Sequence, residues 1–132
     1  MSKHSAIELL EAAAKARHNA HSKYSKFSVG ASLLTEDGSI FLGCNVENAS
    51  YGLTICAERV ALTSAVSAGQ KSFQAIAIVA DELAAPCGAC RQVMAEFCKD
   101  DFPVYIASVK DTASFETHFM GKLLPERFHF NP

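Results

Sequence analysis

Two short segments hold the residues of this 132-residue chain that are best suited to chemistry: Cys56-Ala-Glu58 and Pro86-Cys87-Gly-Ala-Cys90. The surrounding pattern predicts that each lies at the start of a helix, where unpaired N–H groups and the helix dipole favour a thiolate over a thiol. Cys87 and Cys90 are predicted to share one helix face, so that both sulfurs reach a common point. Three thiolates gathered from two such ends would hold zinc and leave one coordination position open, which is typical of a catalytic zinc site.

Glu58 is predicted to lie beside this metal site without being a ligand. It follows Cys56 by two positions, and two residues of an ideal helix turn by about 200°, so the two side chains point in different directions. A carboxylate next to a zinc-bound water can accept a proton from it and return the proton later. The two segments together therefore indicate zinc chemistry in which Glu58 moves protons.

Other interpretations of the cysteines stay open from the residues alone. A structural four-cysteine zinc site could be completed by Cys44 or Cys98, although Glu58 would then have no role. A thioredoxin-like redox pair at Cys87 and Cys90 would leave the third cysteine superfluous. A disulfide framework is not expected, because the cysteines number five and residues 1–5 do not begin a secretion signal. We therefore expect an intracellular, cytoplasmic protein.

Composition narrows the class of protein further. The chain is 49% hydrophobic and 20% charged, which excludes a disordered chain, and its length predicts one catalytic domain over residues 1–132. Twelve basic and fourteen acidic residues give a net charge of −2, which argues against tight binding of duplex nucleic acid. No apolar run reaches the roughly 20 residues of a membrane span. The seven glycines form neither a dinucleotide fingerprint nor a P-loop.

Hydrophobic periodicity and turn signals predict the elements that must position these residues. Ser5-Ala-Ile-Glu8 fits a capping box at the start of the first helix. Residues 36–38 form a turn between two apolar runs, which predicts a hairpin, and residues 45–52 are predicted to form a loop. The predicted helices span 5–21, 54–68 and 87–98, and the predicted strands span 27–34, 40–44, 74–80, 104–108 and 114–119. This order predicts an α/β fold in which helices cover a mixed sheet.

Four segments of the chain resemble the short, homotetrameric cytidine deaminases. The Cys-x-Glu and Pro-Cys-x-x-Cys segments match the signature of zinc-dependent base deaminases. The likeness extends over nearly the whole chain, as far as Leu123-Leu-Pro125 and Phe128. The segments that carry it are Tyr24-Ser-Lys-Phe-Ser-Val-Gly-Ala31, Gly43-Cys-Asn-Val-Glu-Asn-Ala-Ser-Tyr51, Ile55-Cys-Ala-Glu-Arg59 and Pro86-Cys-Gly-Ala-Cys-Arg-Gln92.

This resemblance implies both a fold and a reaction. The fold is a three-layer α-β-α sandwich around a five-stranded mixed sheet. The reaction is hydrolysis of cytidine and deoxycytidine to uridine and deoxyuridine with release of ammonia, as part of pyrimidine salvage. Zinc-activated water would attack C4 of the base while a glutamate moves the protons. The resemblance is also the only support for a homotetramer.

The resemblance also implies a role for particular residues. Cys56, Cys87 and Cys90 would bind one Zn²⁺ per subunit, and Glu58 would be the proton shuttle. The substrate would be held by a set of residues with separate tasks: Asn45 and Glu47 at the ribose hydroxyls, Phe27 against the pyrimidine ring, Ala57 through its backbone N–H at the base carbonyl, and Ala49, Tyr51 and Phe128 completing pockets across subunit boundaries.

Arg59 has an expected role in tuning the metal. Three thiolates and one Zn²⁺ sum to a charge of −1, which makes the metal a weaker acid than a site that contains histidine. A guanidinium that donates to the cysteine sulfurs would restore part of the pull on water. The resemblance assigns this role to Arg59.

Other functions remain as alternatives. A deaminase of another aminated heterocycle, such as a blasticidin-type antibiotic or a nucleotide, would use the same zinc centre. Asn45 and Glu47 favour a free sugar, because a carboxylate would repel a phosphate. A polynucleotide-editing enzyme would need basic and aromatic residues around its pocket. The net charge of −2 argues against this class of enzyme. A zinc module without catalytic activity is the remaining class.

Overall fold

The computed structural model describes residues 5–132, which form a five-stranded mixed sheet with helices on both faces. Residues 1–4, part of the N-terminal pattern from which no export signal is expected, lie outside this range. The helices are α1 (Ala6–Ala16), α2 (Ala57–Ser67), α3 (Gly88–Ala95) and α4 (Met120–Leu123). The strands are β1 (Gly30–Thr35), β2 (Ile40–Cys44), β3 (Phe73–Ala80), β4 (Pro103–Ser108) and β5 (Asp111–Phe119).

The sheet has the strand order β2-β1-β3-β4-β5. The central pair β3 and β4 is parallel, and the other three pairs are antiparallel. A parallel pair needs a crossover connection, and α3 supplies it between β3 and β4. The predicted α/β class and the mixed sheet of five strands are confirmed.

One face of the sheet is covered by α1. The predicted capping box is present, because Ser5 Oγ accepts a hydrogen bond from Glu8 N at 3.2 Å and Glu8 Oε1 accepts one from Ser5 N at 2.8 Å. The helix ends at Ala16, earlier than predicted, and a 3₁₀ turn follows. It ends there because His21 pairs with the backbone beyond β2: its N–H donates to the Asn45 carbonyl at 2.9 Å.

The other face is covered by α2, α3 and α4, and the larger core lies beneath them. Strand β3 supplies both cores, since Ile76 and Ile78 face the larger core and Ala77 and Val79 face α1. All four side chains are buried, as the continuous apolar run predicts. Each large aliphatic side chain buried in this way contributes about 1.5–3 kcal/mol to folding.

Helix α2 begins three residues later than predicted, and this moves Cys56 out of the helix. Val46 and Ile55 exchange two backbone hydrogen bonds of 2.9 and 3.0 Å, which keep the chain extended up to Cys56. Cys56 is the N-cap, with φ −74° and ψ 155°, and Ala57 is the first helical residue. The Cys56 side chain, predicted to bind the metal, therefore precedes the helix instead of lying on its surface.

Helix α3 shows the same difference. Cys87 is its N-cap, with φ −69° and ψ 168°, while Cys90 lies within the first turn. The two residues therefore do not share a helix face as predicted; the extended N-cap backbone directs the Cys87 side chain toward Cys90 instead. The helix ends at Ala95, three residues before the predicted end at Cys98.

Strand β1 begins at Gly30, three residues later than predicted, because residues 27–29 pair with a side chain instead of a strand. The Asn45 amide accepts from Val29 N at 2.9 Å and donates to the Phe27 carbonyl at 2.8 Å. Strand β5 begins at Asp111, earlier than predicted, and α4 is an additional helix that the sequence pattern did not predict. Within residues 5–132, no helix is both long enough and apolar enough to cross a membrane.

Gly43 brings α2 close to the sheet. A Cβ atom at this position would lie 2.3 Å from the Ala57 carbonyl oxygen and 2.5 Å from Ala61 N. Real Cβ atoms do not approach backbone this closely, so only glycine allows the first turn of α2 to rest directly on β2. The first turn of α2 carries Glu58, whose height above the sheet is therefore fixed by backbone contact.

Candidate active site

The three predicted cysteines meet at one point. The Sγ atoms of Cys56, Cys87 and Cys90 all lie within 4.8 Å of one another. Cys56 and Cys87 are 3.9 Å apart at sulfur, and Cys87 and Cys90 are 3.6 Å apart. A tetrahedral zinc with Zn–S bonds of 2.3 Å requires sulfurs about 3.8 Å apart, so the spacing fits this metal. It is far too long for a disulfide, and all three thiols are free.

The thiol groups of Cys56 and Cys90 share one proton through a hydrogen bond between their sulfurs. A hydrogen bond from the Cys90 thiol, with further hydrogen bonds from Arg59 and Cys87, lowers the pKa of Cys56 to about 5 against the opposing effect of burial. The pKa of Cys90 is raised, because its hydrogen bond to the Cys56 sulfur and its burial both retain the proton. A cation that replaced the shared proton would stabilise all three thiolates, which is how zinc binding releases protons.

The two remaining cysteines do not complete a four-cysteine site. Within residues 5–132, the cluster includes neither Cys44 nor Cys98, and no histidine or carboxylate joins it. Cys98 lies in the core, where burial raises the pKa of its thiol to about 12. Three protein ligands leave one tetrahedral position for water or substrate.

Glu58 lies in the first turn of α2 and is only 5% exposed. Burial raises the pKa of Glu58 to about 7, and the negative charge of Cys56 adds to the rise. The Glu58 charge in turn contributes to the raised pKa of Cys90, so the carboxylate and the thiols interact electrostatically. A carboxyl group that titrates near neutral pH can both accept and donate a proton during one reaction, although a bound dication would lower its pKa.

Arg59 directs its guanidinium toward the sulfurs. Its Nη2 donates to Cys56 Sγ at 3.7 Å, and this hydrogen bond raises the pKa of Arg59. Its Nε is the one fully buried side-chain polar atom within residues 5–132 that has no hydrogen-bond partner. A positive group with a spare buried donor suits a cluster whose charge is −1 when three thiolates hold Zn²⁺.

Asn45 and Glu47 shape the loop beside the site. Asn45 is 8% exposed, and its bonds to Phe27 and Val29 use one amide hydrogen and one lone pair, so that one of each remains. The Glu47 carboxylate accepts from Tyr24 N at 2.9 Å, from Ser25 N at 3.1 Å and from Ser25 Oγ. These hydrogen bonds, led by the one from the Ser25 hydroxyl, lower the pKa of Glu47.

A cleft of about 440 Å³ opens next to Glu47. Its wall includes Tyr24 and Tyr51, whose rings pack edge to face with centroids 6.0 Å apart. No role was predicted for Tyr24 and Ser25, although both belong to one of the segments that carry the resemblance. A second cavity, of about 500 Å³, lies at the opposite end of the sheet around Phe73 and Phe102 and contains none of the predicted site residues.

The remaining predicted residues differ in exposure. Ala57 is completely buried, whereas Phe27 and Ala49 are exposed. Tyr51 and Phe128 are each 74% exposed, so the chain itself does not enclose them. The structure therefore brings together the cysteines, Glu58 and Arg59, and it leaves the predicted subunit-crossing residues at the surface.

A mixed α/β sheet that carries a three-cysteine cluster at two helix N-termini, with a buried glutamate in the adjacent turn, defines the class of zinc-dependent deaminases. Comparison with models of protein families identifies the family within this class. Residues 3–106 match the model of the cytidine and deoxycytidylate deaminase zinc-binding region. The chain belongs to this family, and its cofactor is zinc.

Individual relatives cover nearly the whole chain. This chain is 51% identical to a cytidine deaminase from Sporosarcina psychrophila over 123 residues, which are 92% of this chain and 89% of that protein. The crystal structure of a cytidine deaminase from Burkholderia pseudomallei superposes with a TM-score of 0.89 at 48% identity and covers 95% of this chain and 100% of that chain. A blasticidin-S deaminase from Bacillus cereus is 37% identical over 87 residues, which are 58% of this chain and 62% of that protein.

Proposed function

We propose that this chain is a cytidine deaminase that hydrolyses cytidine and deoxycytidine to uridine and deoxyuridine and releases ammonia. The observation that carries the proposal is the buried Glu58 carboxylate in the turn that follows Cys56, beside a three-sulfur cluster with zinc spacing. The similarity to cytidine deaminases over about nine-tenths of the chain supports the same activity.

The zinc ligands in this proposal are Cys56, Cys87 and Cys90. Zinc held by them supplies Lewis acidity, which lowers the pKa of a water molecule. Glu58 accepts a proton from that water as the oxygen attacks C4 of the cytosine ring, and it delivers this proton to N3. Glu58 then carries the second proton of the water to the C4 amino group, which leaves as ammonia while the C4 carbonyl forms. Both protons of the water are thus accounted for, one on N3 and one on ammonia.

The backbone of α2 can orient the base. Ala57 is the first residue of α2, and the N–H groups of a first helical turn have no partner within the helix. We assign the Ala57 N–H to the base carbonyl and the Phe27 ring to the face of the pyrimidine. The Asn45 amide holds residues 27–29 in place through two hydrogen bonds, which gives the Phe27 ring a fixed backbone support.

Asn45 and Glu47 bind the sugar hydroxyls in this proposal. Each retains hydrogen-bonding capacity after its bonds within the loop, and the cleft beside Glu47 offers space for a sugar. The Glu47 carboxylate disfavours a phosphate there, which supports a nucleoside over a nucleotide. The similarity to the blasticidin-S deaminase is lower and covers less of the chain, so an antibiotic substrate is the second candidate.

We further infer that the whole chain acts as one catalytic domain, assembled as a homotetramer, in cytoplasmic pyrimidine salvage. The support for assembly is the exposure of Tyr51, Phe128 and Ala49, the residues expected to complete pockets of neighbouring subunits. Large aromatic side chains are costly to leave in water, and burial between subunits would recover that cost. Five free thiols are compatible with a reducing compartment.

The decisive experiment follows the ultraviolet spectral change of cytidine with purified protein, before and after removal of zinc by a chelator. We expect turnover that disappears with zinc and returns when zinc is restored. Parallel assays with deoxycytidine, cytidine 5′-monophosphate and blasticidin S assign the substrate class. Protein that contains zinc and releases no ammonia from cytidine would refute the proposed activity.

A further inference from the structure

Arg91 holds the backbone on both sides of Cys87. Its Nε donates to the Pro86 carbonyl at 2.8 Å, and its backbone N–H donates to the Cys87 carbonyl at 3.0 Å. These carbonyls belong to the two peptide groups that flank the Cys87 Cα atom. Cys87 is exposed and makes no side-chain cap bond, so the direction of its sulfur depends on these backbone restraints.

The same guanidinium reaches the C-terminal segment, which we define as residues 123–128. Arg91 Nη1 donates to the carbonyl of Leu123, the last residue of α4, at 2.8 Å. Carbonyls at a helix C-terminus have no partner within the helix, so this bond satisfies a group that needs one. The next residue, Gln92, donates through Nε2 to the Phe128 carbonyl at 3.2 Å. Two consecutive residues after Cys90 therefore attach the C-terminal segment to the metal-binding helix.

We propose that Arg91 is a positioning residue for the zinc ligand Cys87, and that through Arg91 zinc binding and docking of the C-terminal segment stabilise each other. This inference rests on the proposed ligand role of Cys87. The planar guanidinium can donate in two directions at once, whereas a lysine ammonium at the end of a flexible stem does not reproduce that fork. Coupling between two equilibria is reciprocal, so zinc must lower the equilibrium constant for opening of the segment by the factor by which docking tightens zinc binding.

The first test measures zinc release from Arg91→Lys, which keeps the charge and loses the fork. Zinc transfer to excess chromogenic chelator should be about 10- to 100-fold faster than in the wild type, because loss of a group that orients a metal ligand usually weakens metal affinity by that factor. Arg17→Lys is the matched control, because Arg17 binds the Ser28 carbonyl and Asp81 and contacts neither the carbonyls beside Cys87 nor the C-terminal segment. Its zinc release should stay within about twofold of the wild-type rate.

The second test uses limited proteolysis of the full chain, with the first cleavage site located by mass spectrometry. Removal of zinc from the wild type should speed a first cut within residues 123–132. In Arg91→Lys this cut should already be fast and should depend little on zinc, whereas Arg17→Lys should keep the zinc dependence. A structural role alone would not tie the cut to zinc.

Each remaining outcome has a definite meaning. Folded Arg91→Lys that releases zinc at the wild-type rate overturns the proposal. If that variant does not fold, the wild-type comparison decides: equal cleavage rates with and without zinc, or a first cut elsewhere, also overturn it. Zinc content of the wild type is measured beforehand, and a metal-free wild type that binds no added zinc would refute the ligand assignment instead.

Discussion

The two halves of the candidate site are built in different ways. The metal half consists of three thiols and a buried carboxylate held at the N-termini of α2 and α3, on top of the larger core. The sugar half consists of residues 24–29 and 45–54, which are loops held together mainly by the side chains of Asn45 and Glu47. The groups proposed to act in the reaction thus lie on rigid elements, and the groups proposed to bind the substrate lie on segments that polar side chains fix in place.

This contrast predicts different consequences of substitution in the two halves. Changes in the metal half should cause loss of zinc or a large fall in kcat. Changes in the sugar half should weaken substrate binding while the chemical step survives.

The largest effect is expected for Cys56→Ser, which should lose both zinc and turnover. A serine hydroxyl is not deprotonated as a thiol is, and metal binding and folding are coupled at such sites, so its melting temperature should also fall. Metal analysis and thermal unfolding measure both effects. Cys98→Ser is the matched control for zinc content, since this thiol lies in the core outside the cluster, and loss of zinc there would contradict the ligand assignment.

Glu58→Gln should retain zinc and lose the rate. The carboxamide has nearly the shape of the carboxylate but cannot accept and return protons, so kcat should fall by at least about 10²- to 10⁴-fold, the usual contribution of a general acid–base group. Steady-state assays with cytidine and metal analysis of the same preparation test this. A rate close to the wild type, or loss of zinc, would contradict the role of Glu58.

A milder effect is expected for Glu47→Gln in the sugar half. Loss of a charged hydrogen-bond acceptor should raise KM by about 10- to 100-fold, with a smaller change in kcat. The amide also accepts less strongly from Ser25 and the Tyr24 backbone, so the loop should exchange its amide hydrogens faster. Zinc content should not change. A fall in kcat with KM unchanged would place Glu47 in the metal half instead.

The smallest effect concerns Asp37 in the β1–β2 turn, remote from both halves. Hydrogen bonds, the largest from Thr35, lower the pKa of Asp37 from 3.8 to about 2. The folded state therefore favours the ionised form, and this stabilisation is present above about pH 4 and is lost as the pH falls toward 2. Asp37→Asn should lower the melting temperature at pH 7, and the difference from the wild type should vanish near pH 2, with activity unchanged at neutral pH.

The metal half was accessible to sequence reasoning, because its residues stand close together in two segments and their chemistry depends on residue type. The exact starts of α2 and α3 could not be predicted from the sequence. Cys56 lies outside α2 because Ile55 pairs with Val46, a residue of the preceding loop. Helix α4 is only four residues long and gives no periodicity to detect. It is held by backbone bonds from Met120 to Phe102 and from Gly121 to Asp100, which depend on the tertiary fold.

The sugar half was predicted less completely. Asn45 and Glu47 were identified through the resemblance, but their bonds to residues 24–29 join segments about twenty positions apart, and no local pattern reports such contacts. Tyr24 and Ser25 were missed as lining residues for this reason. Arg91 was visible as part of a motif, yet the Leu123 carbonyl that it binds lies 32 positions further along the chain, so this contact becomes apparent only once the chain is folded.

The backbone contact at Gly43 has a consequence for how this protein tolerates change. Because β2 supports α2 without an intervening side chain, the position of Glu58, the proposed acid–base group, is set by a backbone contact that no rotamer change can displace. Outward-facing positions along α2, such as Thr63 and Ser67, can therefore vary, for instance in adaptation to a new environment, while the reacting groups keep their spacing. A methyl group at Gly43 would push the first turn of α2 away from β2 and would displace Glu58 together with the start of the helix.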